Sequence, residues 1–227
     1  MQQVDSRNSA ALVPDGRVAG FVIVASAVLA LGAIARHPTV GAARGSADVL
    51  AQLAALSTAD EIVHGVLIVL IGALLFGFTV FSQRCGLHRG VVLFGLIGFA
   101  LASAGMIGEA LLDGFLIPAL AARYASASPQ DSDIALHVIA AAGAAIQILT
   151  KFAIAVTAVA VTSWSVALVR SSGASRLAGV VGFVSAAVAI VVLVSTHRLN
   201  PHTLGVIVGV QSLWYGTIGI LLMRRDL

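Results

Sequence analysis

Apolar residues along this chain gather into six long runs: Val18 to Ala35, Ile62 to Phe81, Gly90 to Leu112, Val138 to Leu168, Leu177 to Thr196 and Leu204 to Met223. A helix needs about 20 apolar residues to cross a bilayer core about 30 Å thick. In lipid, backbone polar groups must be satisfied within their own segment, so the runs predict transmembrane helices. An outer-membrane barrel would instead show ten-residue alternating segments, and none is present. Alanine, leucine, glycine and valine dominate the runs. Such small residues let helices approach closely without a water-driven force. The fold class is therefore all-α, a polytopic membrane protein of six helices.

Two of the helices are predicted to be too long for a bilayer. No strong breaker interrupts the third from Gly90 to Ile117, or the fourth from Pro129 to Val169. At 1.5 Å per residue, about 40 residues make ~60 Å, twice the core thickness. Tilt absorbs only part of that excess. Helices 3 and 4 are expected to extend beyond the outer face as a hairpin that turns near "YASASPQ". The projecting part is still apolar (Phe115, Leu116, Ile117, Ile134, Leu136, Val138) and needs a cover. Within "SADVLAQLAAL", Val49, Leu53 and Leu56 fall on one helical face, which predicts a short outer helix packed on the hairpin. Residues 1–16 read as a cytoplasmic tail. Residues 17–227 read as a single membrane domain, with an outer cap from about 38–60 and 113–137.

Composition strengthens this picture. Of 227 residues, 59% are hydrophobic and 10% charged, against about 25% charged in a soluble domain. The net charge is +3, but the basic residues are scattered at the ends of apolar runs. That distribution excludes a nucleic-acid surface and leaves the lipid bilayer as the main partner, with a second copy or another membrane subunit compatible. One set of helix ends carries Arg7, Arg17, Arg84, Arg89, Arg170, Arg176, Arg224 and Arg225. The other carries Arg36, Arg44, Arg123 and Arg198. Eight against four predicts both termini in the cytoplasm and a plasma (inner) membrane location. Ala33-x-Ala35 resembles a signal cleavage site, yet the preceding apolar stretch exceeds the usual 7–15 residues, so it reads as a membrane helix. Cys85 is the sole cysteine and provides no disulfide framework.

Two segments repeat a pattern. "DEIVHG" holds Asp60 and His64, and "DSDIALH" holds Asp133 and His137. The plainer reading is a pair of helix starts. Ser57 and Ser128 each precede an aspartate by three residues, and Pro129 suits a first helical position. The sharper reading uses the i, i+4 spacing, which lets a carboxylate orient the imidazole or share a copper or zinc ion with it. The two histidines do not share a height. His64 lies 20 residues from Arg84 and His137 lies 33 from Arg170, a difference of ~20 Å in straight helices. That opposes a haem b held between them, unless helix 4 breaks near Gly143.

The same ruler brings other groups level with His64. Glu109 lies 20 residues from Arg89, and Lys151 lies 19 from Arg170. Asp113 and Gln147 sit one turn further out. Glu109 with Asp113, and Gln147 with Lys151, share helix faces. Ionisable groups within membrane helices cost a few kcal/mol each and usually face a partner or a cavity. Glu109 and Lys151 form the natural pair. They read either as one structural salt bridge, or as part of a pocket that also holds His64 and Asp113. A histidine beside a carboxylate can bind a metal, relay a proton or act as a general base. Trp214 and Tyr215 lie near mid-span and read as core or as cavity lining.

No phosphate loop, nucleophile elbow, zincin motif or c-type haem motif is present. The expected function is an outward-facing polar site for a divalent metal ion or small polar ligand, in support of redox or hydrolytic chemistry. Ligand-binding candidates are His64, Glu109, Asp113, Gln147 and Lys151, and metal candidates are His64, Glu109, Asp113 and His137. Two alternatives stay open: a small-molecule or proton-coupled transporter, and a structural subunit of a membrane complex.

Overall fold

The computed structural model describes residues 15–36, 41 and 45–226, and these are helical with no strand among them. The helices are α1 (Gly16–Ala35), α2 (Ser46–Cys85), α3 (Gly90–Leu111), α4 (Ile117–Tyr124), α5 (Pro129–Leu168), α6 (Gly173–Ser195) and α7 (Pro201–Arg224). A π-helical turn, Leu112–Leu116, joins α3 to α4 without a break, so Gly90–Tyr124 is one 35-residue rod. Six helices are thus long and apolar enough to cross a membrane. The expected tail up to residue 14, the cap residues 38–40 and 42–44, and Arg7, His37 and Arg44 lie outside the described residues.

Helix ends follow local chemistry. The Asp15 carboxylate accepts the Arg17 N–H at 3.0 Å and starts α1. Ser128 accepts the Asp131 N–H at 3.2 Å, so the expected cap at "SPQD" is real. At α7, Asn200 and Thr203 exchange side-chain-to-backbone bonds of 3.0 and 2.9 Å, a reciprocal capping box. The expected start at Ser57 is not found. Ser57 and Asp60 lie inside α2, which runs unbroken for 40 residues from Ser46. The short outer helix is therefore the first part of α2 itself. No glycine or proline stands between Ser46 and His64 to end it. Its Leu50 is fully buried against Ala121 and Ala135, with Leu53, Ala54, Tyr124, Leu136 and Ile139 around them. Leu50, rather than Val49 or Leu56, is the residue at the centre of that contact.

The spans close into a ring. α1 lies between α2 and α7, α3 between α2 and α5, and α6 between α5 and α7. α1 and α7 touch backbone to backbone, because a Cβ on Gly20 would run into the Gly219 carbonyl. An aromatic plug fills the ring. Phe78, Trp164 and Trp214 form a triangle of near-parallel rings (Phe78 to Trp164 5.1 Å, Phe78 to Trp214 5.5 Å, Trp164 to Trp214 5.9 Å between centroids), with Phe81, Phe99 and Tyr215 edge-on or tilted around Phe78. Both indole N–H groups are satisfied: Trp164 donates to Ser82 Oγ and Trp214 to the Ala178 carbonyl, each at 3.1 Å. Trp214 and Tyr215 are thus core residues. Large exposed apolar side chains such as Phe21, Val69, Phe94, Val184, Val194 and Leu213 point outward from the ring, as a lipid-facing surface requires.

Candidate metal centre

Three titratable side chains meet between α2 and the α3–α4 rod. His64 comes from α2, Glu109 from the last turn of α3, and Asp113 from the π turn. One ligand atom from each lies within 4.8 Å of the other two. His64 is buried, at 2% exposure, while the two carboxylates are half-buried.

The histidine is held in one orientation. Its Nδ1 lies 2.9 Å from the Asp60 carbonyl one turn earlier, so Nδ1–H donates and Nε2 is turned toward the neighbouring rod. Nε2 faces Asp113 Oδ2 at 3.4 Å. A neutral Nε2 and a carboxylate oxygen are both acceptors, so a cation between them or a proton on Nε2 favours this approach.

The close approach depends on the π turn and on glycine. The Ile117 N–H bonds back to the Leu112 carbonyl, an i to i+5 bond that inserts one extra residue into the rod. Gly114 then faces His64. A Cβ there would collide with the His64 Cβ and lie 2.5 Å from its Cγ and 2.8 Å from its Nδ1. Nothing in the apolar pattern marks a π turn or singles out Gly114. The one available signal was a lone glycine inside a helical stretch beside an acidic residue.

The residues present fit a divalent metal. Zinc takes nitrogen and oxygen ligands at about 2.0–2.2 Å in tetrahedral geometry, which sets neighbouring ligand atoms about 3.3–3.6 Å apart. The His64–Asp113 separation of 3.4 Å already matches that edge. Shifts of about 1 Å in side-chain position bring the remaining spread to the same value. Three protein ligands would leave one position of a tetrahedral ion open.

The other candidates lie elsewhere. Lys151 does not pair with Glu109. Its Nζ donates to the His197 carbonyl at 2.7 Å, in the loop between α6 and α7. Gln147 grips the same loop, donating to the Leu199 carbonyl at 3.1 Å and accepting its N–H at 3.0 Å. Helical spacing fixed their height but not the direction they face. His137 is exposed and stands outside the group of three, its Nδ1 2.7 Å from the Asp133 carbonyl. α5 runs unbroken through Gly143, so no kink brings His137 toward His64. Comparison with known protein families, curated proteins and solved structures returns no match to this chain.

Proposed function

We propose that this multi-pass membrane protein binds a divalent transition-metal ion through His64, Glu109 and Asp113, with an open position for a small polar ligand. The observation that carries the reading is the gathering of one imidazole and two carboxylates, with the buried His64 Nε2 facing Asp113 Oδ2 at 3.4 Å and Glu109 within 4.8 Å. One imidazole and two carboxylates suit zinc, iron or manganese better than copper(I), which prefers sulfur. Such an ion would supply Lewis acidity and, at its open position, an activated water. His64 would be the fixed ligand, oriented by Asp60 and Gly114. Glu109 and Asp113, being more exposed, would form the side open to an incoming ligand.

The site would sit toward the outer face of a plasma membrane, with both termini cytoplasmic. The arginine count of eight against four supports that orientation. α2 and α5 at 40 residues each, and the 35-residue rod, exceed the length a bilayer needs. Their outer ends, joined by the Leu50 contact, would form a cap above the site.

A second reading rests on the same observation. A proton, in place of a metal, also relieves the facing acceptors, and a proton-coupled carrier would use the pair that way. The test is elemental mass spectrometry on detergent-purified protein that has never met a nickel column. Near-stoichiometric zinc, iron or manganese is expected, lost in both His64→Ala and Glu109→Ala. Metal-free protein that takes up none of these ions on titration would overturn the metal reading. Proton flux in proteoliposomes, abolished by His64→Ala, would then establish the carrier.

A further inference from the structure

At the opposite end of the bundle, two polar clefts open side by side and share Arg84. The first, about 230 Å³, is lined by Asp15, Gly16, Arg84, Leu222 and Arg225. The second, about 320 Å³, brings Arg84 together with Arg89, Ser171, Ser172, Ser175 and Asp226. Three arginines and two aspartates therefore line the joined clefts. One of those carboxylates, Asp15, is turned to its own helix start through the Arg17 N–H.

The arginines are placed rather than scattered. Arg84 ends α2 beside Gly16 of α1, close enough that a Cβ on Gly16 would stand 3.7 Å from the guanidinium carbon. Arg89 is anchored through a bond to the Cys85 carbonyl at 3.4 Å. Arg225 is the one non-glycine residue with positive φ among the described residues, at 63°. Glycine or asparagine usually occupies that position after a helix, and an arginine held there is under local strain. Its backbone conformation closes the end of α7 through the Asp226 N–H to Leu221 bond and sets its side chain on the first cleft. Among the described residues, no carboxylate stands within ion-pair distance of Arg84 or Arg225.

Guanidinium forks match the oxygens of a phosphate in pairs. Ser171 and Ser172 at the second cleft add neutral donors beside the start of α6, while Ser175 Oγ already donates to the Asp226 carbonyl at 3.1 Å. We propose that these joined clefts bind a phosphate group, with Arg84 central and Arg89 and Arg225 on its flanks. The phosphate belongs either to an anionic lipid headgroup or to a soluble phosphate compound, and the chemistry is the same for both. This inference is independent of the metal centre, which lies at the other end of the helices.

Two arms separate the sources. Native mass spectrometry of the detergent-purified full chain, exchanged into mixed phosphatidylglycerol and phosphatidylcholine, reports retained lipid. Equilibrium dialysis with radiolabelled inorganic phosphate, in lipid-free detergent, reports soluble anion. If the source is lipid, phosphatidylglycerol is retained in preference to phosphatidylcholine, and the doubly substituted Arg84→Gln, Arg225→Gln protein loses that preference at least tenfold. If the source is soluble, inorganic phosphate binds saturably and the same protein binds it at least tenfold more weakly. The Arg84→Lys, Arg225→Lys protein keeps the charge but not the forks, and it separates specific binding from general attraction by showing an intermediate loss. Retention and binding that are equal in the wild-type and glutamine-substituted proteins, in both arms, would overturn the proposal. If the glutamine-substituted protein does not elute as a single species, Arg89→Gln alone is used, with a partial loss expected and no loss overturning it.

Discussion

Gly114→Ala is the sharpest perturbation of the centre. The added methyl would lie 2.5 Å from His64 Cγ and 2.8 Å from Nδ1, where carbon contacts settle at about 3.5–4.0 Å. Roughly 1 Å must therefore be absorbed by a ring whose orientation is fixed, or by the separation of α2 from the π turn. Overpacking of this kind typically costs about 1–3 kcal/mol. If the ring yields, the Nδ1 bond to the Asp60 carbonyl breaks and Nε2 leaves its place opposite Asp113. Loss of such an orienting contact usually weakens metal binding about 10- to 100-fold. The assay is calorimetric titration of zinc into metal-stripped protein in detergent, alongside thermal unfolding of the same samples. Weaker binding by at least about tenfold, with a lowered Tm, is expected on those magnitudes. Gly143→Ala is the control, because nothing lies within 4 Å of a Cβ at that position. Its affinity and Tm should match or slightly exceed the wild type. A Gly114→Ala protein with wild-type affinity and wild-type Tm would refute both the close approach and the role given to His64.

Two further outcomes follow from the same coordinates. Gln147→Ala removes both bonds to the Leu199 backbone, worth about 1–3 kcal/mol together. Amide exchange at residues 197–199 should quicken by about tenfold or more on that energy, while metal content stays unchanged; an unaltered exchange rate would deny the clamp. Topology is read in a Cys85→Ser background by an impermeant maleimide. Ser126→Cys in the turn before α5 should label on intact cells, and His88→Cys in the turn before α3 only after lysis. The reverse pattern would invert the assigned orientation.

What the sequence made legible was set by length and apolarity. Six runs of sufficient length became six spans, and "SPQD" became a helix start because a serine, a proline and an acid converge there. The reading of "STAD" as another start failed for a physical reason. An apolar run ends where lipid ends, but a helix ends only where its backbone bonds are lost, and α2 continues past that point to Ser46. The height ruler placed Glu109 level with His64 and Asp113 one turn further out on the same face, and the three do meet. It placed Lys151 level too, yet Lys151 faces the α6–α7 loop. Rise along a helix is fixed at 1.5 Å per residue, whereas facing direction depends on which neighbour packs where.

The repeated Asp-x-x-x-His pattern shows why local sequence underdetermines a site. In both copies the aspartate engages the histidine through its backbone carbonyl: Nδ1 lies 2.9 Å from Asp60 O and 2.7 Å from Asp133 O. Any residue at i−4 would present that oxygen, so the i, i+4 carboxylate is not what orients the ring. The repeat therefore describes one side-chain-to-backbone contact used twice, which leaves Nε2 as the ring nitrogen not turned to its own helix. At His137 that atom lies on an exposed ring outside the cluster. At His64 it is buried against Asp113, because the π turn and Gly114 let the neighbouring rod come close. On the proposed function, the chemistry would reside in what the second helix brings to Nε2. Asp113→Ile would then preserve the repeated pattern entirely and still remove the carboxylate that the proposed centre needs.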